Sequence, residues 1–188
     1  AQVTAYNSAQ VRAYDSAQVT AYGSAQVRAY NSAQVTAYKY VAVTRHGSRA
    51  KVRGGILIDL PSIVTPQDWL DFYGVSPKRG IVTLYKAVDD KYRSAWLGPI
   101  GERTSYAPGT KPEAADFDPD PRDCGAGLHG CAAPGLALTY MPEASHFVGV
   151  PVRVSELGAP DPDGDTRKIR FRRAAKPVYE VDIDGEPV

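Results

Sequence analysis

The densest group of chemically capable side chains is Cys124-Gly125-Ala126-Gly127-Leu128-His129-Gly130-Cys131. Thiols and imidazoles are the side chains that ligate soft metals, yet this spacing fits no common zinc set and no fourth ligand stands nearby. A Cys124–Cys131 disulfide is within geometric reach. The remaining reading is a glycine-rich tight strand with buried thiols and a hydrogen-bonded histidine. Neither a metal nor a cofactor is expected from it. Further on, Asp161-Pro162-Asp163-Gly164-Asp165 sets carboxylates at alternate positions. The frame of an EF-hand loop is absent, so the string reads as a β-turn. Arg167, Lys168, Arg170, Arg172, Arg173 and Lys176 form the one basic cluster. Lys168, Arg170 and Arg172 alternate with Ile169 and Phe171, which predicts a strand with a solvated cationic face; a phosphate backbone is the functional alternative. By type and pattern, Tyr140 reads as core packing and Glu180 as an outward carboxylate on an alternating strand.

These residues need elements to hold them. The pattern predicts strands over 81–88, near 126–131, and over 146–155, 167–173 and 177–183. A helix is expected from about Pro134 to Met141, and 89–125, rich in Pro, Gly and Asp, reads as irregular. That mixture predicts a small α+β domain over 81–188. Ahead of it, Thr65-Pro66-Gln67-Asp68 has the form of a helix start: a threonine N-cap, a proline in the first turn and an acid three residues on. Trp69, Leu70, Phe72 and Tyr73 follow at helical spacing, and Gly74 can end the helix. Residues 65–80 are therefore expected as a capping helix and linker, covering the end of what precedes them.

What precedes them is a repeat. Residues 1–40 read AQVTAYNS, AQVRAYDS, AQVTAYGS, AQVRAYNS, AQVTAYKY. Within an octad, Ala, Val and Ala alternate with Gln, Thr or Arg, and Tyr, which is the period of a strand. Asn7, Asp15, Gly23 and Asn31 then supply residue types that tolerate positive φ at a corner. One such strand cannot bury its face, but stacked copies can, so the repeat predicts a β-solenoid with a thin Ala-Val-Ala core. The fourth position alternates strictly: Thr4, Arg12, Thr20, Arg28, Thr36. Coils of two octads, 16 residues, stack threonine on threonine and arginine on arginine; coils of three mix them. The 16-residue coil is favoured. It also builds two tyrosine ladders, Tyr6/Tyr22/Tyr38 and Tyr14/Tyr30. After Tyr38 the repeat decays: Val41–Ser48 keeps the spacing but puts Arg45 and His46 in the Ala and Tyr places. Residues 1–64 are thus expected as a solenoid with a degenerate last coil. The pattern begins in mid-phase at Ala1, which suggests an array cut from a longer one or an end that meets a partner.

The chain has 188 residues with 22 Lys+Arg against 21 Asp+Glu, net +1. The balance argues against a wholesale nucleic-acid binder. No run is long and apolar enough to span a membrane. Two cysteines are too few for a disulfide scaffold, so the expected compartment is cytoplasmic: host cytoplasm, or a virion if phage-encoded. Secretion stays open because the N-terminus reads as trimmed.

Three resemblances add to this. TLYKAVDDKYRS, the Cys-Gly-x-Gly-Leu-His string with its proline-started helix, FVGVPVRVSEL and PVYEVDIDG together resemble an uncharacterised domain of actinobacteriophage and actinobacterial proteins, over about 81–188. Gly130 and Cys131 stand where that family has an aromatic and a serine. The family implies no established activity. GAGLHGCAAPGLALTY is similar in layout to the strand-and-helix segment of ADP-ribosyltransferase folds. That resemblance implies His129 and Tyr140 lining a nicotinamide pocket and Glu180 as the acid stabilising an oxocarbenium-like centre; Lys86 stands in the place of the family's first-strand Arg or His. The octads of residues 1–40 resemble the repeats of bacterial ice-nucleation proteins, with Gln-Val-Thr where those carry a doubled threonine.

The reading that follows is a structural or binding protein. Its solenoid is a rigid spacer or self-assembly surface built on Thr4, Thr20, Thr36, Arg12, Arg28 and the tyrosine ladders. Self-association is expected through the solenoid end or a ladder. The C-terminal domain is a phage-type accessory domain. A divergent ADP-ribosyltransferase-like enzyme and an ice-binding solenoid are the alternatives, and the enzyme requires His129, Tyr140 and Glu180 to converge.

Overall fold

The computed structural model describes residues 1–47, 49–60, 63–97, 102–120, 126–160 and 165–188. They fall into two units, Ala1–Ile63 and Val64–Val188.

The first unit is a β-solenoid. Its strands are β1 (Gln2–Ala5), β2 (Gln10–Ala13), β3 (Gln18–Ala21), β4 (Gln26–Ala29), β5 (Gln34–Ala37), β6 (Ala42–Arg45), β7 (Lys51–Arg53) and β8 (Ile56–Asp59). They form two parallel four-stranded sheets, ordered β1-β3-β5-β7 and β2-β4-β6-β8. Each coil contributes one strand to each sheet. Thr4 pairs with Thr20 and Thr20 with Thr36, while Arg12 pairs with Arg28, so the coil is two octads, as the alternation requires.

The core is the expected thin one. Ala21, Ala25, Val27, Ala29, Ala33, Val35, Val41 and Val43 are buried in a single cluster. Burial falls toward the first coil: Val3 is 41 % exposed where Val19 is 3 % and Val35 2 %. The corners that keep the octad spacing place the seventh residue in the left-handed region, Asn7, Asp15, Gly23, Asn31, Lys39 and Gly47 alike. At the Asn7, Asp15 and Asn31 corners the alanine amide two residues on closes the turn, as in Ala17 N–H to the Tyr14 carbonyl at 3.0 Å. Lys39 lacks the usual turn chemistry yet adopts the same left-handed conformation, with φ 49°.

Residues 41–60 depart from the expected degenerate coil in an ordered way. β6 completes the third coil, and β7 with β8 makes a fourth. Lys51 pairs with Gln34, a separation of 17 residues, and Ile56 with Ala42, a separation of 14. The shorter separation reflects a two-residue corner, Gly54-Gly55. Both glycines have positive φ, and a Cβ on Gly55 would lie 2.7 Å from the Val41 carbonyl oxygen and from Ala37 Cβ. Only glycine fits there.

The second unit begins with α1 (Pro66–Tyr73), capped as its sequence predicts. Thr65 Oγ1 accepts from the Asp68 amide at 3.1 Å, Asp68 Oδ2 accepts from the Thr65 amide at 2.8 Å, and Gly74 closes the end with φ 67°. The helix belongs to this unit: Trp69 is fully buried and its Nε1 donates to the Thr166 carbonyl at 2.7 Å. The remaining elements are β9 (Ile81–Val88), β10 (Arg93–Leu97), β11 (Arg103–Ser105), β12 (Leu128–Cys131), α2 (Pro134–Ala137), β13 (His146–Arg153), β14 (Lys168–Phe171) and β15 (Tyr179–Val181). Five of these form an antiparallel sheet in the order β14-β12-β9-β13-β15. The β10–β11 hairpin lies in the stretch expected to be irregular. α2 is shorter than the sequence suggests, ending at Ala137 rather than near Met141. Among the described residues no helix is long and apolar enough to cross a membrane.

Candidate functional site

The sheet register decides where the candidate residues face. Cys131 pairs with Tyr85, and His129, two residues earlier, shares that face. Gly130 points the other way, where a Cβ would press on Leu84 Cβ at 2.7 Å. Lys86 shares the face of Leu84. Glu180 pairs with Val148 and Val148 with Lys86, so Glu180 lies on the face opposite His129. Tyr140 lies on the Cys131 side, packed with Ala87 and Ala137. His129 and Tyr140 therefore share a face, and Glu180 does not join them.

His129 pairs with Arg170 and Cys131 with Lys168 across β12 and β14. Burial pushes the His129 imidazole down to about 3, helped by the cations Lys168, Lys86 and Arg170, while a hydrogen bond to the Gly127 backbone opposes the shift. The ring is thus neutral at pH 7, and among the described residues its buried Nε2 has no partner. Tyr140 donates to Asp165 Oδ2 at 2.7 Å, and Arg167 and Lys168 lie over its ring at 5.7 and 5.2 Å. Burial, then the Asp165 hydrogen bond, raises the phenol. Arg167 in turn grips Asp165 at 2.8 Å through Nε and Nη2. Tyr140 is a closed hydrogen-bonded packing residue there, as its type suggests. The Cys131 thiol is pushed by burial up to about 11, which leaves it protonated and unreactive at neutral pH. Cys124 lies outside the described residues, and so do Asp161 and Asp163 of the expected turn.

Arg172 is exposed, as the alternation suggests, but Arg170 is not. Arg170 is 4 % exposed, and its Nη2 donates to the backbone carbonyls of Asp120 and, at 3.1 Å, of Ala159. The guanidinium serves as an internal tie between loops.

On the opposite face, three residues gather that sequence spacing does not reveal. Glu180 Oε2 accepts from the Tyr92 hydroxyl at 2.8 Å, and Glu180 Oε1 lies 2.6 Å from His146 Nδ1. The Tyr92 and His146 rings stack at 4.4 Å. Hydrogen bonds from Tyr92 and then His146 hold the Glu180 carboxyl below its usual range. Tyr92 reaches this position from a left-handed turn, φ 56°, just before β10. Next to it Asp89 accepts from Arg93 and from the Lys91 and Arg93 amides, and the Arg93 side chain foremost brings its carboxyl down to about 2. The carboxylate–imidazole pair orients a ring, but among the described residues no group of three metal-ligating side chains surrounds it. Lys86, on the same face, donates to the His129 carbonyl at 3.0 Å and sits 5.0 Å from the centre of the buried Tyr106 ring. Burial lowers its ammonium to about 8.

The solenoid residues assemble as expected. Tyr6, Tyr22 and Tyr38 stack at 5.2 and 4.7 Å with rings within 9° of parallel. Tyr14 and Tyr30 stack at 4.7 Å, and His46 extends that ladder at 4.2 Å from Tyr30. The spacing matches that of neighbouring strands, about 4.8 Å. Beneath the ladders, Thr4, Thr20 and Thr36 line one outer column and Arg12 and Arg28 the other; the threonine column continues into Arg53 and the arginine column into Thr44 and Ile58. Arg45, in the Ala place of the decayed octad, pairs across strands with Asp59, its Nε donating at 2.7 Å. The chain matches no family model, no curated protein and no solved structure.

Proposed function

We propose that the chain is a structural, non-enzymatic protein: a tandem-repeat β-solenoid used as a rigid spacer and self-assembly surface, joined to an accessory domain of the phage-associated type. The observation that carries this reading is the residue-for-residue stacking of identical outer side chains. The threonine column of one sheet, the arginine column of the other and the two tyrosine ladders give periodic outer surfaces, which suits association more than turnover. The second unit supports the same reading, since Glu180 lies on the face opposite His129 and Tyr140 and is engaged there by Tyr92 and His146.

Sedimentation velocity across a hundredfold range of concentration tests it. The weight-average mass is expected to rise above that of the monomer. A monomer at every concentration would remove the assembly role.

A further inference from the structure

The balanced net charge conceals a division. Of the 22 Lys+Arg, 7 lie in residues 1–63, with 2 of the 21 Asp+Glu; residues 64–188 hold the other 15 and 19. The solenoid is therefore +5 and the second unit −4. Little inside the solenoid offsets its charge. Asp59 is taken by Arg45, and Asp15 accepts from Asn31 Nδ2 at 2.7 Å. Arg12, Arg28, Lys51 and Arg53 all point outward and are exposed.

This distribution bears on how copies meet. Two solenoids packed arginine column to arginine column bring like charges within a Debye length, about 10 Å at 0.1 M salt, and repel. A solenoid against the second unit of another copy brings opposite charges together. The outer column Arg12-Arg28-Thr44-Ile58 also changes from cationic to aliphatic along its length, and Ile56 and Ile58 are 53 % and 48 % exposed. The second unit offers matching chemistry: Asp184 and Glu186 are exposed, beside Ile183 at 48 %.

We infer that the arginine-bearing outer face of the solenoid is a docking surface for the acidic second unit of another copy, giving a heterologous, head-to-tail contact. This rests on the assembly role proposed above. Such a contact joins two different surfaces, so it propagates into rings or filaments and does not stop at a symmetric dimer.

The sign of the salt response tests it. Sedimentation velocity is run on the full chain in about 50 and about 500 mM NaCl. Arg12→Gln/Arg28→Gln and, independently, Asp184→Asn/Glu186→Gln are run beside it. The expected result is association weakened about tenfold or more by salt, and weakened at low salt by each double variant. Association that salt or Arg12→Gln/Arg28→Gln strengthens would overturn the inference in favour of packing arginine column to arginine column, while leaving the assembly role intact. Association indifferent to both would overturn it equally. A monomer under all conditions would overturn the assembly role itself.

Discussion

Val3 and Val19 sit in the same six-residue context, AQVTAY, so their local propensities are identical. They pair directly, β1 against β3, with both side chains turned inward. They differ in what lies on either side. Val19 has coils above and below and is 3 % exposed; Val3 has a neighbour on one side only and is 41 % exposed. Truncating Val19 to alanine removes two carbons from the core. At about 0.8 kcal/mol per methylene, that is about 1.6 kcal/mol of transfer, and the void raises the total toward 2–3 kcal/mol. The Ala-Val-Ala core has little else to fill the gap. Val3→Ala should cost under about 1 kcal/mol, because much of that surface already meets water. Both tryptophans, Trp69 and Trp96, lie in the second unit, so fluorescence does not report on the solenoid. Native-state amide exchange over 18–21 and 34–37 does. Val19→Ala should speed exchange there by about 30-fold or more, and Val3→Ala by less than about fivefold, since 1.4 kcal/mol is a factor of ten. Equal effects from the two variants would refute the stacked-coil account.

Four further outcomes are expected. His46→Tyr should complete the second ladder and remove a pH dependence: burial, then Arg28, lowers the imidazole, so His46 supports folding above its unfolded value near 6.5 and that support is lost as pH falls through the lower folded value; urea midpoints at pH 7.5 and 5 measure this. Gly55→Ala should cost more than about 2 kcal/mol, because left-handed strain adds to the clash with Val41, and exchange across 51–59 reads it; an unchanged rate would contradict the two-residue corner. Lys86 has a folded value of about 8 against 10.5, so the unfolded chain binds more protons between them and stability should rise from pH 8 to 10.5; Lys86→Met should flatten that rise in tryptophan-monitored unfolding. Glu180→Gln should weaken acid sensitivity, because the carboxylate's contribution is present above its ordinary value of 4.5 and lost as pH falls through the depressed folded one; amide exchange over 146–148 at pH 5 and 3 would show it.

Much of the solenoid is readable because its signals are local and repeated. The Thr/Arg alternation carries the coil length, and the seventh-position Asn, Asp and Gly mark the corners. His46 in a tyrosine place reads as decay of the repeat, yet its ring extends the second ladder. The fourth coil is harder to read. Its separations of 17 and 14 break the period, and only the Gly54-Gly55 pair marks the compensating tight corner. In the second unit the strands stand out by alternation, but the contacts that define its chemistry are long-range. Tyr92 and Glu180 are 88 positions apart, and His146 and Glu180 are 34 apart. No spacing rule joins them. Arg170 misleads for the same reason: alternation places it beside Lys168 and Arg172, while the loop carbonyls of Asp120 and Ala159 that enclose it come from elsewhere in the chain. The charge division was present in the sequence throughout, but it acquires meaning only once the boundary at 63/64 is known.

The 16-residue coil underlies both the surface proposed for assembly and the charge argument, and pairwise cysteine cross-linking tests it most directly. Three variants are oxidised under mild conditions and their bridged peptides mapped: Thr4→Cys/Thr20→Cys, Thr4→Cys/Arg12→Cys and Thr4→Cys/Arg28→Cys. Residues 4 and 20 are paired in adjacent parallel strands, within the Cα separation of about 4.4–6.8 Å that a disulfide needs. Efficient bridging of 4 to 20, and not of 4 to 12 or 4 to 28, is the expected result. Preferential bridging of 4 to 28 would mean coils of three octads, and would contradict the account from the ladders outward.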